Sequence, residues 1–448
     1  MNNISVESLS NQGISQSKNN LDALLSLRGI ACLMVVTIHC APPRSSIIYL
    51  GYDFSWLIFS NGLVAVWIFF CLSGYLMGKA FYSGRYTVDT KGIFNFWCNR
   101  ALRIVPLYYF VLLILSIFVY TDILKMANWG YLFRLLTFTY QPYFYPQPIA
   151  FNDSLWSLST EVQFYLLVPF IYSIIAPLII SLRHFITAFF IVIITVFLIK
   201  FITLSGFQKQ IIEQFAYAFR YWYAPLINNL DLFICGFLIN PLIQSYRQNK
   251  NTDCATKCID INNKSNLNKK YLSRFNLFSY ANNKIIAIAL IVLLYLFTAH
   301  HFYNQELWGL PTRTGGFRTS TTIFILQPLT AIITCLFIFA FELTKYESYS
   351  KHEKLSFTNI LKNPIRALEI MGNLSYGVYV WHVPIIQKIT PIFISDIPLE
   401  AFAFRITATL ILSSILATIT YYLVEIPAAK FKIYREVRNQ ESEVRSEK

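Results

Sequence analysis

The chain has 448 residues, of which 55% are hydrophobic, 17% aromatic and only 13% charged, with a mean hydropathy of +0.48. A soluble domain carries about 25% charged residues, so this balance excludes a water-soluble domain, a disordered regulator and a disulfide scaffold. The net charge of +14 reads as basic loops beside a membrane, with no nucleic-acid partner expected.

Residues 1–20 are polar, with the single basic residue Lys18. They lack the basic, apolar, small-residue order of a cleaved leader and read as a disordered cytoplasmic tail. Ten apolar segments follow, at 25–41, 56–80, 104–121, 155–180, 184–205, 223–245, 285–300, 321–342, 370–389 and 403–424. Most have the roughly 17–25 residues that cross a bilayer as helix. The expected fold is an all-α polytopic membrane protein with about ten transmembrane helices. An even number of spans puts both termini on one side. With the N-terminus inside, the inside segments hold 26 Lys and Arg and the outside segments seven. The positive-inside rule then makes both termini cytoplasmic.

Within a membrane domain of 21–430, two connections stand out. The Asn- and Lys-rich stretch 246–284 reads as a flexible cytoplasmic linker, and 431–448 as a basic cytoplasmic tail. The outside stretch 122–154 holds Trp129, Tyr131, Phe133, Phe138, Tyr140, Tyr143, Phe144 and Tyr145. It is too apolar to float in water and too broken to span, which predicts a re-entrant or interfacial segment capping an outer cavity. Its rings suit either the C–H faces of a sugar or a belt at the lipid headgroups. Cys32, Cys40, Cys71, Cys98, Cys235 and Cys335 lie in or beside apolar segments and act as small hydrophobes. Cys254 and Cys258 have no His at ligand spacing, so they read as reduced thiols and no metal site is expected.

Ionisable groups are costly inside a bilayer, so each one is a functional candidate. In SLRGIACLMVVTIHC, Arg28 and His39 are eleven residues apart. On a helix that is three turns plus about 20°, so both project from one face, about 16 Å apart along the axis. In NFWCNRALRIVPLYYF, Arg100 and Arg103 lie one turn apart. They suit a bidentate grip on a phosphorylated ligand or anchoring to anionic lipid. Glu161, in WSLSTEVQFYLLVPF with Trp156, has no basic residue within four positions. It needs a partner on another helix or a proton. Ser73 and Gly74 in FFCLSGYL allow close helix approach. In GNLSYGVYVWHVPI, Ser375, Tyr379 and His382 share a face at i, i+4 and i+7. Asp231 and Glu425, the latter in YYLVEIP, are the other intramembrane acids.

Taken in order, RGIACLMVVTIH, FFCLSGYL, RALRIVPLYY, WSLSTEVQFYLLVP, SYGVYVWHVPI and YYLVEIP resemble the landmarks of the membrane-bound acyltransferase-3 family, over about residues 21 to 430. That family's hallmark, an Arg and a His separated by ten residues, is met by Arg28 and His39. The resemblance implies transfer of an acyl group, usually acetyl, from cytoplasmic acetyl-CoA to a hydroxyl of an envelope glycan such as lipopolysaccharide O-antigen. Acetyl-CoA is then a co-substrate, with no tightly bound cofactor. The partners are a polysaccharide or lipid-linked glycan and the lipid bilayer, in a bacterial inner membrane. The resemblance makes His39 essential and has the paired arginines hold the donor. Two positions depart from the pattern. The Asp often found three before the motif Arg is Leu25 here, with Asp22 one turn further out. The Arg common two before the sixth-span acid is Asn229. Many relatives carry a C-terminal hydrolase-like domain, whereas this sequence ends at Lys448, shortly after the last predicted span, so a stand-alone form is expected.

The expected site follows. Arg28, Arg100 and Arg103 clamp the donor phosphates. His39 is the general base, and Glu161 orients or balances its imidazole. Tyr140, Tyr143, Tyr145, Trp156 and His382 meet the acceptor. Direct transfer is preferred over an acyl relay on His39 or Ser73. The rival reading is a transporter or flippase of an envelope sugar or acyl donor, which has many spans and intramembrane charges too.

Overall fold

The computed structural model describes residues 22–141, 151–179, 181–257, 280–308, 322–343 and 365–431. It is helical apart from a two-stranded hairpin, Ile48–Tyr49 with Tyr52–Asp53. In chain order the helices are α1 (Ala23–His39), α2 (Gly62–Tyr82), α3 (Thr90–Phe118), α4 (Trp129–Leu136), α5 (Leu155–Ile175), α6 (Leu182–Glu213), α7 (Phe215–Ala218), α8 (Leu230–Lys257), α9 (Tyr280–Tyr303), α10 (Gln327–Glu342), α11 (Arg366–Ile389) and α12 (Pro398–Thr420). Every predicted apolar segment falls on one of them. Eight of the described helical segments are long and apolar enough to cross a membrane. α1 has only 17 residues. α11 has 24 but carries Asn373, Ser375, Tyr376, Tyr379 and His382.

Local chemistry sets the helix starts. Asp22 caps α1, accepting from Leu24 N at 3.1 Å and Leu25 N at 3.2 Å. Asn61 does the same for α2 at Leu63 N and Val64 N, satisfying donors that lack a carbonyl four residues back. α3 begins at Thr90, capped by Asp89, well before the apolar run at 104 that hydropathy detects. Its first turns are amphipathic, so Arg100 and Arg103 sit inside a continuous helix. α8 continues over 246–257, into the expected linker. Residues 1–20, the remainder of the linker with Cys258, Tyr143 and Tyr145, and the tail from 432 lie outside the described residues.

Two helix pairs touch backbone to backbone. A Cβ added to Gly29 of α1 would fall on the Leu368 carbonyl of α11, and one on Gly372 would fall on Leu25 O. In the same way Gly74 of α2 meets Phe233 O of α8, and Gly236 meets Cys71 O. Small residues are the usual route to close packing where lipid gives no hydrophobic drive between helices. The first crossing sets α1 and α11 side by side. α6 lies at the periphery and leaves Phe190, Ile194 and Ile202 more than half exposed, an outward apolar face suited to hydrocarbon.

Successive long helices run antiparallel. One end of the bundle gathers Asp22 bonded to Glu369 and the Lys79–Glu342 ion pair at 2.9 Å. The other gathers His39, Arg44 bonded to Tyr303 O at 2.8 Å, Tyr120 bonded to Gln387, and Arg405 bonded to Cys40 O at 3.2 Å. At this second end α4 exposes Trp129 and Phe133 and buries Tyr131 and Leu135. Tyr108 and Tyr109 of α3 donate to Leu135 O and Leu136 O at 2.9 and 2.6 Å, capping its last turn.

Candidate functional site

α1, α2, α3, α5 and α11 enclose a cavity of about 710 Å³ of empty space, part of it open to the surroundings. Arg28, Arg100 and Arg103 line it from α1 and α3. None of the three forms an ion pair among the described residues. Arg100 Nε is buried without a hydrogen-bond partner, its guanidinium 5.8 Å from the Phe96 ring centre. Guanidiniums without an ion-pair partner that face such a space have the chemistry to hold an anion.

Glu161 lines the same cavity. It accepts from Ser73 Oγ at 2.7 Å and from the Tyr165 hydroxyl. Its position one turn below Ser157 on α5 carries it toward the arginines, and no bond joins it to His39. Among the described residues its hydrogen-bond partners are Ser73 and Tyr165, and it shares the cavity with the arginines. Tyr379 closes the cavity at its opposite limit, its hydroxyl 2.6 Å from Ser157 Oγ.

His39 is the last residue of α1 and its side chain is exposed. Its Nδ1 lies 2.8 Å from Val35 O and 3.3 Å from His382 Nε2, with the ring centres 5.0 Å apart. His382 Nδ1 is in turn 2.6 Å from Tyr379 O. Carbonyl oxygens only accept, so both Nδ1 atoms carry the proton. His39 Nε2 is left with its lone pair and no partner among the described residues.

Pro384 explains how this turn is built. It lacks an N–H, so Val380 O has no donor four residues on. Asn152 Nδ2 takes that carbonyl at 2.8 Å, and Ser154 Oγ takes Tyr379 O at 3.3 Å. The segment before α5 is thereby fastened to the turn that holds His382. Asn152, Ser154, Ser157 and Tyr165 escape a search for charges in apolar runs. For Asn152 and Ser154 the one signal is the N-D-S sequence ahead of an apolar helix, a capping signature.

The residues expected to meet the acceptor are placed differently. Tyr140 is 1% exposed, its hydroxyl held by Tyr131 at 3.1 Å and Asp153 at 3.2 Å. Burial raises the Asp153 carboxyl above its usual range. Trp156 is 5% exposed and packs edge-on against Phe70 and Phe219. His382 is fully buried with both ring nitrogens engaged. All three are buried side chains of the packed interior.

A model described as an acyltransferase domain, that of the acyltransferase-3 family, matches residues 21–422. The chain belongs to the acyltransferase-3 family. This acyltransferase-3 chain is 24% identical over 433 residues to the putative peptidoglycan O-acetyltransferase YrhL of Bacillus subtilis, covering 92% of this chain and 55% of that protein. It is 23% identical over 434 residues to the O-acetyltransferase OatA of Staphylococcus aureus, covering 92% and 58%. Over 168 residues it is 28% identical to the peptidoglycan O-acetyltransferase OatA of Listeria monocytogenes, covering 34% and 24%. The chain thus spans at most a little over half the length of these relatives. No solved structure matches it. Bacterial relatives and eight spanning-length helical segments make it a multi-pass protein of the bacterial cytoplasmic (inner) membrane.

Both departures from the family pattern have a structural counterpart. Asp22 is spent on capping α1. Asn229 donates to Tyr223 O at 2.6 Å and Pro225 O at 2.9 Å. The cation for Asp231 comes instead from Lys200 of α6 through an amide. Lys200 Nζ donates to Gln327, whose Nε2 donates to Asp231 at 2.7 Å.

Proposed function

We propose that the chain is a membrane-bound O-acyltransferase that moves an acetyl group from cytoplasmic acetyl-CoA to a hydroxyl of an envelope glycan. The observation that carries this reading is the arrangement along α1, with Arg28 in an arginine-lined cavity and His39 exposed at the far end. The phosphates of coenzyme A complement Arg28, Arg100 and Arg103. Its extended, uncharged pantetheine arm is of the order of the ~16 Å that separates Arg28 from His39 along the helix. His39 Nε2 then takes the proton of the attacking hydroxyl. The oxygen bonds to the acyl carbon, the C–S bond breaks, and the proton passes to the departing thiolate.

The names of the relatives favour a peptidoglycan-type acceptor over O-antigen. Acetyl-CoA acts as a co-substrate, and the acceptor is a polymer or lipid-linked glycan reached from the far side. Purified protein in nanodiscs, given acetyl-CoA and peptidoglycan fragments, should release free thiol only when both are present. An exporter of sugar or acyl donor would release none, and that result would end the enzyme reading.

The orientation belongs to the same proposal. Both termini and the arginine end are cytoplasmic, the aromatic stretch 122–154 is re-entrant or interfacial, and His39 faces out. The 26-to-seven split of basic residues supports it. A reporter fused after residue 265 should label as cytoplasmic and one inserted near residue 312 as extracytoplasmic. The opposite labelling would turn His39 toward the donor side.

A further inference from the structure

We propose that His382 is the positioning residue for His39, holding its imidazole by a neutral histidine–histidine hydrogen bond so that Nε2 is the base. The inference rests on the acyl-transfer reading and adds a role for a residue buried away from both substrates.

An imidazole at the last position of a helix has little to hold it, because the helix ends there and no following turn packs on it. His39 has two anchors on one nitrogen. Val35 O, one turn back, accepts from Nδ1–H at 2.8 Å. His382 Nε2 faces the same proton at 3.3 Å. For His382 to accept, its own proton must sit on Nδ1, and Tyr379 O at 2.6 Å keeps it there. Pro384 frees the Val380 carbonyl, which Asn152 takes, and Ser154 adds a longer contact to Tyr379 O. Donation therefore runs from the acceptor hydroxyl to His39, from His39 to His382, and from His382 to Tyr379 O.

When His39 takes the acceptor proton it becomes an imidazolium. Its Nδ1–H bonds are then charge-assisted, and the His382 lone pair is one of the two that hold the charge. His382 keeps its own proton throughout. A carboxylate in the same place would be a stronger acceptor, but an isolated carboxylate at a fully buried membrane position is costly. A neutral imidazole provides an aimed lone pair without that cost. Arg405, a charged group at this end, directs its guanidinium to Cys40 O and Ala41 O, both at 3.2 Å.

The test compares His382→Leu, which removes the acceptor, with His382→Gln, which returns one near Nε2. Both are assayed with acetyl-CoA and peptidoglycan fragments. His382→Leu should lose about 10²-fold in kcat, the scale of a misplaced reacting group, with donor KM unchanged. His382→Gln should recover most of the loss. Equal loss in both variants, or near-normal kcat in His382→Leu, would overturn the proposal. So would a loss confined to acceptor KM, which would make His382 a substrate contact. If the leucine variant fails to accumulate, ¹⁵N-histidine NMR of the intact protein decides. Nδ1–H tautomers at both His39 and His382 support the pair, and an Nε2–H tautomer at His39 sinks it. Full activity in His39→Ala would overturn the base role of His39 and the pair with it, whereas no thiol release by the unaltered protein would instead end the acyl-transfer reading.

Discussion

His39→Ala is expected to lower acyl transfer by about 10²–10⁴-fold, the usual cost of losing a general base, while protein yield and membrane insertion stay near normal. The second half of that expectation follows from the geometry. The His39 side chain is exposed at the end of α1, so its removal opens no core cavity. The α1–α11 crossing is held by Gly29 against Leu368 and Gly372 against Leu25, about three to four turns away. The check is initial rate of glycan acetylation in nanodiscs, normalised to folded protein by size-exclusion chromatography. More than half of the wild-type rate would remove His39 from the chemistry. Donor KM should change little, because the arginine cavity does not include His39.

Arg100→Ala combined with Arg103→Ala should act on the donor alone. Each guanidinium that meets a phosphate contributes about 1.5–3 kcal/mol as a charged hydrogen bond, or roughly tenfold or more in affinity. The double variant should therefore raise the KM for acetyl-CoA by about 10²-fold or more, with acceptor KM near its original value. Arg100 is the more telling half, since its buried Nε has no hydrogen-bond partner among the described residues to lose. Removing it leaves no carboxylate stranded there, because Glu161 keeps Ser73 and Tyr165. If both arginines only anchor the protein to anionic lipid, donor KM will stay constant and the loss will appear as a fall in membrane-inserted protein.

What the sequence determined by itself is what depends on near neighbours. Apolar runs longer than a bilayer is thick require helices, because backbone groups in hydrocarbon must be satisfied within their own segment. The 3.6-residue period aligns Arg28 with His39 and Arg100 with Arg103 before any packing is considered. Asp22, Asn61 and Asp89 mark helix starts through their own side chains. Tertiary structure decided every partnership between distant residues. His39 finds His382, 343 positions away, because glycines let α1 and α11 touch. Glu161 finds Ser73, 88 positions away, and so lines one cavity with the arginines. Tyr140 and Trp156 look like sugar platforms in a string of aromatics, yet the helices packed around them leave their faces covered. Periodicity says which residues share a face. Which helix that face meets depends on close packing between segments, and no short window of sequence contains it.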